Sequence, residues 1–491
     1  MPRPRQANFR LSLSSPYRLF GFPADAQTGP VAFAAVPDAV ARPVLRPPPA
    51  SQPQPASQPE IHPAGPAAGR RLAWLDALRG IAALCVVFDH LTYSVFQPVR
   101  DSVYHWFDPG QYGVFVFFLV SGYIVPASLE RRGSVRGFWV SRVFRLYPLY
   151  LFALSAMIVL WACGIGSLGG MDSDAVTSSF ADVFMLQSVL WGPTVPNVVW
   201  SLAYEMAFYL MITALFLGGV HRRSSRYAVV FAAAAAGLGG VLVPGSLSYN
   251  LLTPGVVVAI TDSLILAGLV LTLAGRGRTR LAGAVLAALT GLLLIVFNSG
   301  FAAPWETFTI FALMFTGTML YRAEAGQYPW RRALYVTVLV FSLILVAVQW
   351  HVSPQVENFI AIRKTFNSLE LAGLTFAVAM LCRHRRVPRA LAWLGLISYS
   401  VYLLHPVLIE AYDSVPWTRN QNFVPMELLL AAVFILVLLV CCGLTHRLIE
   451  APMQRLGRRV ARRLDARFGP DTVTSQPDAL AGKADVVAVR R

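Results

Sequence analysis

Apolar runs long enough to cross a lipid bilayer recur from Leu72 to Leu444, and they leave the chain few ways to fold. A segment in hydrocarbon must satisfy its own backbone polar groups, so runs of this length read as helices. Of the 491 residues, 56% are hydrophobic and only 13% charged, too little charge for a soluble chain of this size. The expected fold class is an all-α, polytopic integral membrane bundle of about 10–12 transmembrane helices. Breaks at charged or Pro/Gly-rich stretches put spans near 74–96, 112–129, 147–166, 199–218, 227–243, 254–275, 281–298, 306–321, 333–350, 366–382, 391–411 and 425–446.

The net charge of +16 would suggest nucleic acid in a soluble protein, but its distribution gives another answer. With loops assigned alternately, the side holding both termini collects 36 of the 41 Lys and Arg residues. The opposite side has Arg100, Arg363, Lys364 and Arg419, and Arg79 lies inside a span. By the positive-inside rule both termini are cytoplasmic, in a multi-pass protein of the plasma or inner membrane. Residues 1–70, rich in Pro, Ala and Gln, read as a disordered cytoplasmic extension, either a tether or the product of an upstream start codon. It lacks the apolar stretch of a signal peptide. Residues 71–452 form the transmembrane domain and 453–491 a basic cytoplasmic tail; the HRLIEAPMQRLGRRVARRLDARF stretch that runs from one into the other reads as an amphipathic helix on the anionic inner leaflet. The five cysteines lie in or at the ends of spans without zinc-ligand spacing, so no metal is expected.

Several polar residues enter the apolar layer. RLAWLDALRGIAALCVVFDH carries Arg79 and His90, whose separation is roughly 16 Å at helical rise, about half the hydrocarbon thickness. Eleven residues is close to three turns, so both project from nearly one face. In span two, Gly113, Ser121 and Gly122 allow close helix approach, and Pro126 bends the exit. The inner loop ERRGSVRGFWVSRVFRLYPLY puts Arg142 and Arg145 one turn apart among Phe138, Trp139, Phe144 and Tyr147. An arginine pair on an aromatic platform suits phosphate or nucleotide binding; topogenic charge is the competing explanation, and it suffices for Arg131 and Arg132. Glu205, inside WSLAYEMAFY, is an intramembrane carboxylate that either belongs to a site or glues helices. Span eleven carries a stripe of Ser398, Tyr399, Tyr402 and His405, with a kink at Pro406; a packing stripe explains it equally well. Asp262, Glu306 and Glu370 read as structural or interfacial, as does His105 beside Tyr104 and Trp106.

Taken in order, these stretches resemble the membrane-bound acyltransferase-3 family, the O-acetylases of cell-surface polysaccharides and related molecules. RLAWLDALRGIAALCVVFDH is similar to the family's opening helix, GVFVFFLVSGYIV to its second, and SRVFRLYPLY to its Arg-x-x-Arg segment. WSLAYEMAFY, LGLISYSVYLLHPV and LIEAP resemble the later Glu, Tyr/His and Glu-x-Pro motifs. The likeness runs from residue 72 to 452. There are departures: Met206 follows Glu205 where the family usually has a second acid, Ala203–Tyr204 replaces Ser–Val, and Asp89 directly precedes His90. The helix pair around 254–298 exceeds the family's usual ten.

The resemblance implies that His90 is the essential catalytic histidine, with Arg79 its partner and Glu205 in the site or bracing it. It assigns Arg142 and Arg145, with Tyr147 beside them, to the acyl-donor site. Ser121, Trp200, Ser201, Tyr402 and His405, in the matching stretches, count as site-shaping positions. The implied reaction moves an acyl group, foremost acetyl, from acyl-CoA to a hydroxyl of a glycan, glycolipid or glycosylated small molecule. Such transfer needs a base, donors for the oxyanion and a hold on the carrier's phosphates. His90 is the only histidine inside an early span, and imidazole, with an ordinary pKa of about 6.5, accepts protons near neutral pH. No Gly-x-Ser-x-Gly elbow or Cys–His pair competes as nucleophile. Direct base catalysis and relay through an acyl-imidazole both stay open. Membrane lipid and the carbohydrate acceptor are the expected partners, nucleic acid is not, and self-association is left open. The competing class is a secondary transporter or exporter, whose usual plan also has twelve spans with both ends inside. Against it, the two halves show no matching Gly/Pro-broken segments.

Overall fold

The structure, a computed structural model, describes residues 73–166, 184–186, 196–299, 302–351, 356–415, 424–469 and 471. The extension over 1–70, most of the acidic segment after span three and residues 472–491 lie outside the described residues. Among the described residues the regular elements are all helices. The first half comprises α1 (Ala73–Leu91), α2 (Gln97–Tyr104), α3 (Pro109–Arg132), α4 (Val135–Ala162), α5 (Trp200–Leu217), α6 (Ser224–Leu238) and α7 (Pro254–Ala274). The second comprises α8 (Gly277–Asn298), α9 (Pro304–Glu324), α10 (Trp330–His351), α11 (Val356–Leu381), α12 (Arg389–Leu396), α13 (Ser398–Asp413), α14 (Val424–Thr445) and α15 (Ala451–Phe468).

Each of the twelve stretches read as spans is largely helical, but fewer are apolar and long enough to cross a membrane by themselves. Seven qualify among the described residues, or eight if α12 and α13 count as one bent span. The shortfall has a physical cause. Asp76, Arg79 and Asp89 interrupt α1, threonines dilute α9, charges including Lys364 and Glu370 break the apolar run of α11, and α6 has only 15 residues. The exposed apolar side chains of α4, α7, α8, α10 and α14, such as Leu151, Val270, Leu293, Leu334 and Leu436, form the lipid-facing outside. α3, α5 and α9 are enclosed by their neighbours.

Local chemistry sets the boundaries that matter for the site. Asp108 caps α3 by accepting from Gln111 N at 2.8 Å, with Pro109 at the first helical position. Gly133, at φ 61°, ends α3, and Ser134 caps α4 by accepting from Gly137 N at 2.9 Å. The chain therefore re-enters a helix after two residues. α4 starts at Val135, twelve residues before the expected span, so Arg142 and Arg145 stand on continuous helix rather than in a loop. Pro126 does not end α3, which runs to Arg132. In the expected eleventh span the break is not at Pro406. It falls at Ile397, where α12 and α13 meet at 66° and Ser398 Oγ donates to Gly395 O at 2.9 Å.

α1 sits against α3, α11, α12 and α13, and its packing depends on bare backbone. A Cβ on Gly395 would lie 2.0 Å from Asp76 O, and one on Gly113 2.7 Å from Ala82 O. The rim near α2 is pinned by the few basic residues of that end: Arg363 Nε donates to His105 O at 2.8 Å, and Lys364 lies 3.7 Å from Asp108. α15 follows α14 through a π-helical turn (His446–Glu450) and packs along α4, which the leaflet-lying helix expected from the sequence did not include. Gly395→Val should push α12 off α1 and destabilise the protein by about 1–3 kcal/mol; an unaltered thermal midpoint of the detergent-solubilised protein would contradict this packing.

Candidate active site

The polar residues of the core fall into two layers. In the first, Arg79 is fully buried on α1, with Asp76 one turn earlier at 3.8 Å. That contact is too long for a hydrogen bond, and none of the three guanidinium nitrogens has a hydrogen-bond partner among the described residues. Glu205, buried on α5, accepts the Tyr209 hydroxyl on one oxygen. Its other oxygen has no partner among the described residues, and the cations whose charge reaches it are Arg142, Arg145 and Arg79. The Arg142 guanidinium is buried 5.1 Å from the ring centroids of both Phe138 and Tyr209. Such stacking suits a planar, weakly hydrated cation. Tyr399 of α13 closes the layer by donating to Leu146 O at 2.7 Å, within electrostatic reach of Arg145 and Glu205. Three arginines here face two acids, Asp76 and Glu205. The guanidinium nitrogens of Arg79, without a hydrogen-bond partner among the described residues, are donors of the kind that suits an anionic or strongly accepting group.

The second layer is an imidazole pair. His90 Nδ1 lies 2.8 Å from Val86 O and 3.3 Å from His405 Nε2, with ring centroids 5.0 Å apart. His405 Nδ1 lies 3.0 Å from Val401 O. A carbonyl only accepts, so each Nδ1 carries hydrogen in the neutral rings. His405 Nε2 is then a lone pair facing the His90 Nδ1–H, and His90 Nε2 is left as an acceptor. The His90 side chain is 12% exposed, whereas His405 is wholly buried. Tyr402 donates to Val198 O at 2.5 Å and lies 3.2 Å from Ser201 Oγ, which ties α13 to the start of α5.

These two layers sort the residues singled out from the sequence. Arg79, Arg142, Arg145 and Glu205 come together; His90, His405, Tyr402 and Ser201 lie in or beside the second layer. Arg79 and His90 do not touch, because continuous helix keeps them roughly 16 Å apart. Tyr147 lies some 140° round α4 from Arg142, within electrostatic reach of Asp262 on α7. Ser121 is buried in α3, and the Trp200 ring packs edge-on to Tyr204 at 5.8 Å. Asp89 has a carboxylate oxygen 3.9 Å from His90 Nδ1 and packs against Gly110 in the first turn of α3. The sequence does not single out Asp76 or Tyr209, and it offers Tyr399 only as a member of the span-eleven stripe. The first two had a signal, at i,i+3 from Arg79 and i,i+4 from Glu205. The partner of Tyr399, a carbonyl 253 residues away, had none.

A helical membrane bundle with a buried arginine–carboxylate layer beneath an accessible histidine defines a class of intramembrane site rather than a bare anchor. A family model described as an acyltransferase domain matches residues 72–446, and the chain belongs to that family, acyltransferase family 3. Acyltransferase MdmB of Streptomyces mycarofaciens is 35% identical over 149 residues, 28% of this chain and 38% of that protein. Peptidoglycan O-acetyltransferase OatA of Listeria monocytogenes is 28% identical over 165 residues, 29% of this chain and 24% of that protein. The O-acetyltransferase OatA of Staphylococcus aureus is 27% identical over 177 residues, 32% and 26% of the two chains. The chain thus spans well under half the length of these relatives. No solved structure matches.

Tyr209→Phe should strip Glu205 of its hydroxyl donor and destabilise the protein by about 1–3 kcal/mol. The measurement is thermal unfolding in detergent, and an unchanged midpoint would mean that the bond does not hold the carboxylate.

Proposed function

We propose that the protein is a membrane O-acyltransferase that moves an acyl group, foremost acetyl, from cytoplasmic acyl-CoA to a hydroxyl of a glycan, glycolipid or glycosylated small molecule. The observation that carries this reading is the His90 imidazole, held at Nδ1 by Val86 O with Nε2 as its acceptor atom and its side chain partly exposed. Membership of the family and the partial likeness to O-acetyltransferases support the reaction class.

In the direct mechanism, His90 Nε2 takes the proton of the acceptor hydroxyl as its oxygen attacks the thioester carbonyl. The tetrahedral oxyanion then collapses, the C–S bond breaks, and the thiolate leaves with the proton that His90 returns. In the relay variant the acetyl group passes to Nε2 first and to the acceptor second. Either way the Nδ1–H must stay where it is. His405 serves as a positioning residue, its Nε2 a second acceptor, beside Val86 O, for that N–H. Asp89, at 3.9 Å, adds negative charge beside the imidazolium as it forms.

Arg79, Arg142 and Arg145 belong in this reading to the donor path, since they lie a layer below the histidines and offer guanidinium donors. The orphaned nitrogens of Arg79 fit a polar or anionic part of the donor. Glu205 braces them: a carboxylate within reach of all three arginines limits their mutual repulsion. With both termini cytoplasmic, as the positive-inside rule has them in this reading, donor and arginine layer face the same side, and the acceptor reaches His90 from the outer side or within the membrane.

His90→Ala should abolish acetyl transfer by purified, correctly folded protein; full activity would remove His90 from the chemistry. Labelled acetyl retained on the enzyme in the absence of acceptor would select the relay. Envelope glycans compared by mass spectrometry with and without the protein should differ by acetyl groups. For the histidine pair, His405→Phe should lower kcat about tenfold or more, as expected for loss of a charge-assisted hydrogen bond. KM for acetyl-CoA should hold, and His405→Gln, which keeps an acceptor, should recover part of the loss. Equal kcat in His405→Phe and the unaltered protein would show that the tautomer needs no such partner.

A further inference from the structure

A groove of about 460 Å³ runs between the first turns of α4 and the helix α15, apart from the two layers of the site. Arg132, Arg458 and Arg462 line it together with Ser134, Ser141 and one acid, Asp465. Arg458 and Arg462 are one turn apart on α15, so their side chains share a face. Arg132 Nη1 donates to Gly137 O at 3.3 Å and Arg462 Nε to Arg458 O at 3.4 Å, contacts that keep both side chains along the walls. Of the acids at this end, Asp465 lies 3.8 Å from Arg136, and Asp471 pairs with Arg280 while accepting from Arg136 N at 2.6 Å and from Ser134 Oγ at 3.5 Å.

The groove is a built feature. Gly457 of α15 rests on Phe144 of α4, where a Cβ would come within 2.7 Å of the ring-bearing carbon, so the helices are locked side by side. Ser134, Gly137, Ser141 and Arg145 follow one another at spacings of three, four and four, which makes a single face of α4. That face leads from the arginine-lined mouth, floored by a glycine and two hydroxyls, directly to Arg145 and the buried layer of Arg142, Glu205 and Arg79.

We infer that this groove holds the phosphorylated nucleotide end of the acyl donor, while the chain bearing the thioester follows the α4 face inward toward His90. Three arginines with serine hydroxyls match phosphomonoester and diphosphate oxygens, and arginine favours such groups through paired N–H donors. The inference rests on acyl-CoA being the donor. It adds that α15, outside the bundle of spans, forms one wall of the donor site, so the protein should prefer coenzyme A thioesters over the same thioester on bare pantetheine.

The test compares the unaltered full-length protein with Arg458→Ala/Arg462→Ala, using acetyl-CoA and acetyl-pantetheine as donors. Both residues are exposed, and thermal unfolding checks that the variant folds. KM for acetyl-CoA should rise about tenfold or more, as expected for loss of two charge-assisted contacts, and the rate with acetyl-pantetheine should not change. Arg458→Lys/Arg462→Lys should keep much of the acetyl-CoA affinity. Equal losses for both donors, or no loss for either, would overturn the assignment. The same assay in vesicles with and without anionic lipid separates the other source of phosphate: a defect that depends on anionic lipid would mark a headgroup site and also overturn it. If the unaltered protein does not use acetyl-CoA at all, the donor reading itself falls; if it does and only the groove variant is silent, the groove alone falls.

Discussion

A guanidinium buried in a membrane helix has to be answered by groups from other helices, and Arg79 is the point around which this bundle is arranged. Its own helix supplies only Asp76, at a distance too great for a hydrogen bond. The rest of the compensation comes from Glu205 on α5, itself shared with Arg142 and Arg145 on α4. Three helices are therefore tied by charge at one depth. Aromatic groups stand between them where water would otherwise lie, with Phe138 and Tyr209 flanking Arg142. A charged layer of this kind stabilises little by itself, because desolvation offsets much of the attraction.

Close backbone contact is the second condition. α1 can bring Arg79 and His90 to the interior only because Gly113 and Gly395 let α3 and α12 approach its backbone. The same contact explains the break at Ile397. α12 must lie flat on Asp76 while α13 turns away to carry Tyr399 to the arginine layer and His405 to His90. A straight eleventh span could not reach both places. The two layers and the α4 groove give the molecule a direction, from an arginine-lined mouth at the basic end, past the buried cations, to the imidazole pair.

Much of the fold and part of the site were legible in the sequence. Arg79, His90, Arg142, Arg145 and Glu205 were visible because charge in an apolar run has few innocent explanations. Asp76 and Tyr209 sat at helical spacing from them and could have been found by the same argument. The bond of Tyr399 and the histidine pairing were hidden because their partners lie hundreds of residues away.

The sequence by itself determined the helical class, the segments that become helices and the polar residues that enter the membrane, because local hydropathy and backbone hydrogen bonding decide these within a single segment. It could not determine which of those residues meet. Only the tertiary structure put His405 beside His90, separated Arg79 from His90 into another layer, and laid α15 along α4 to form a groove. Those outcomes depend on helix crossings set by bare glycines and side-chain shape, and a crossing is a property of two segments that neither one encodes alone.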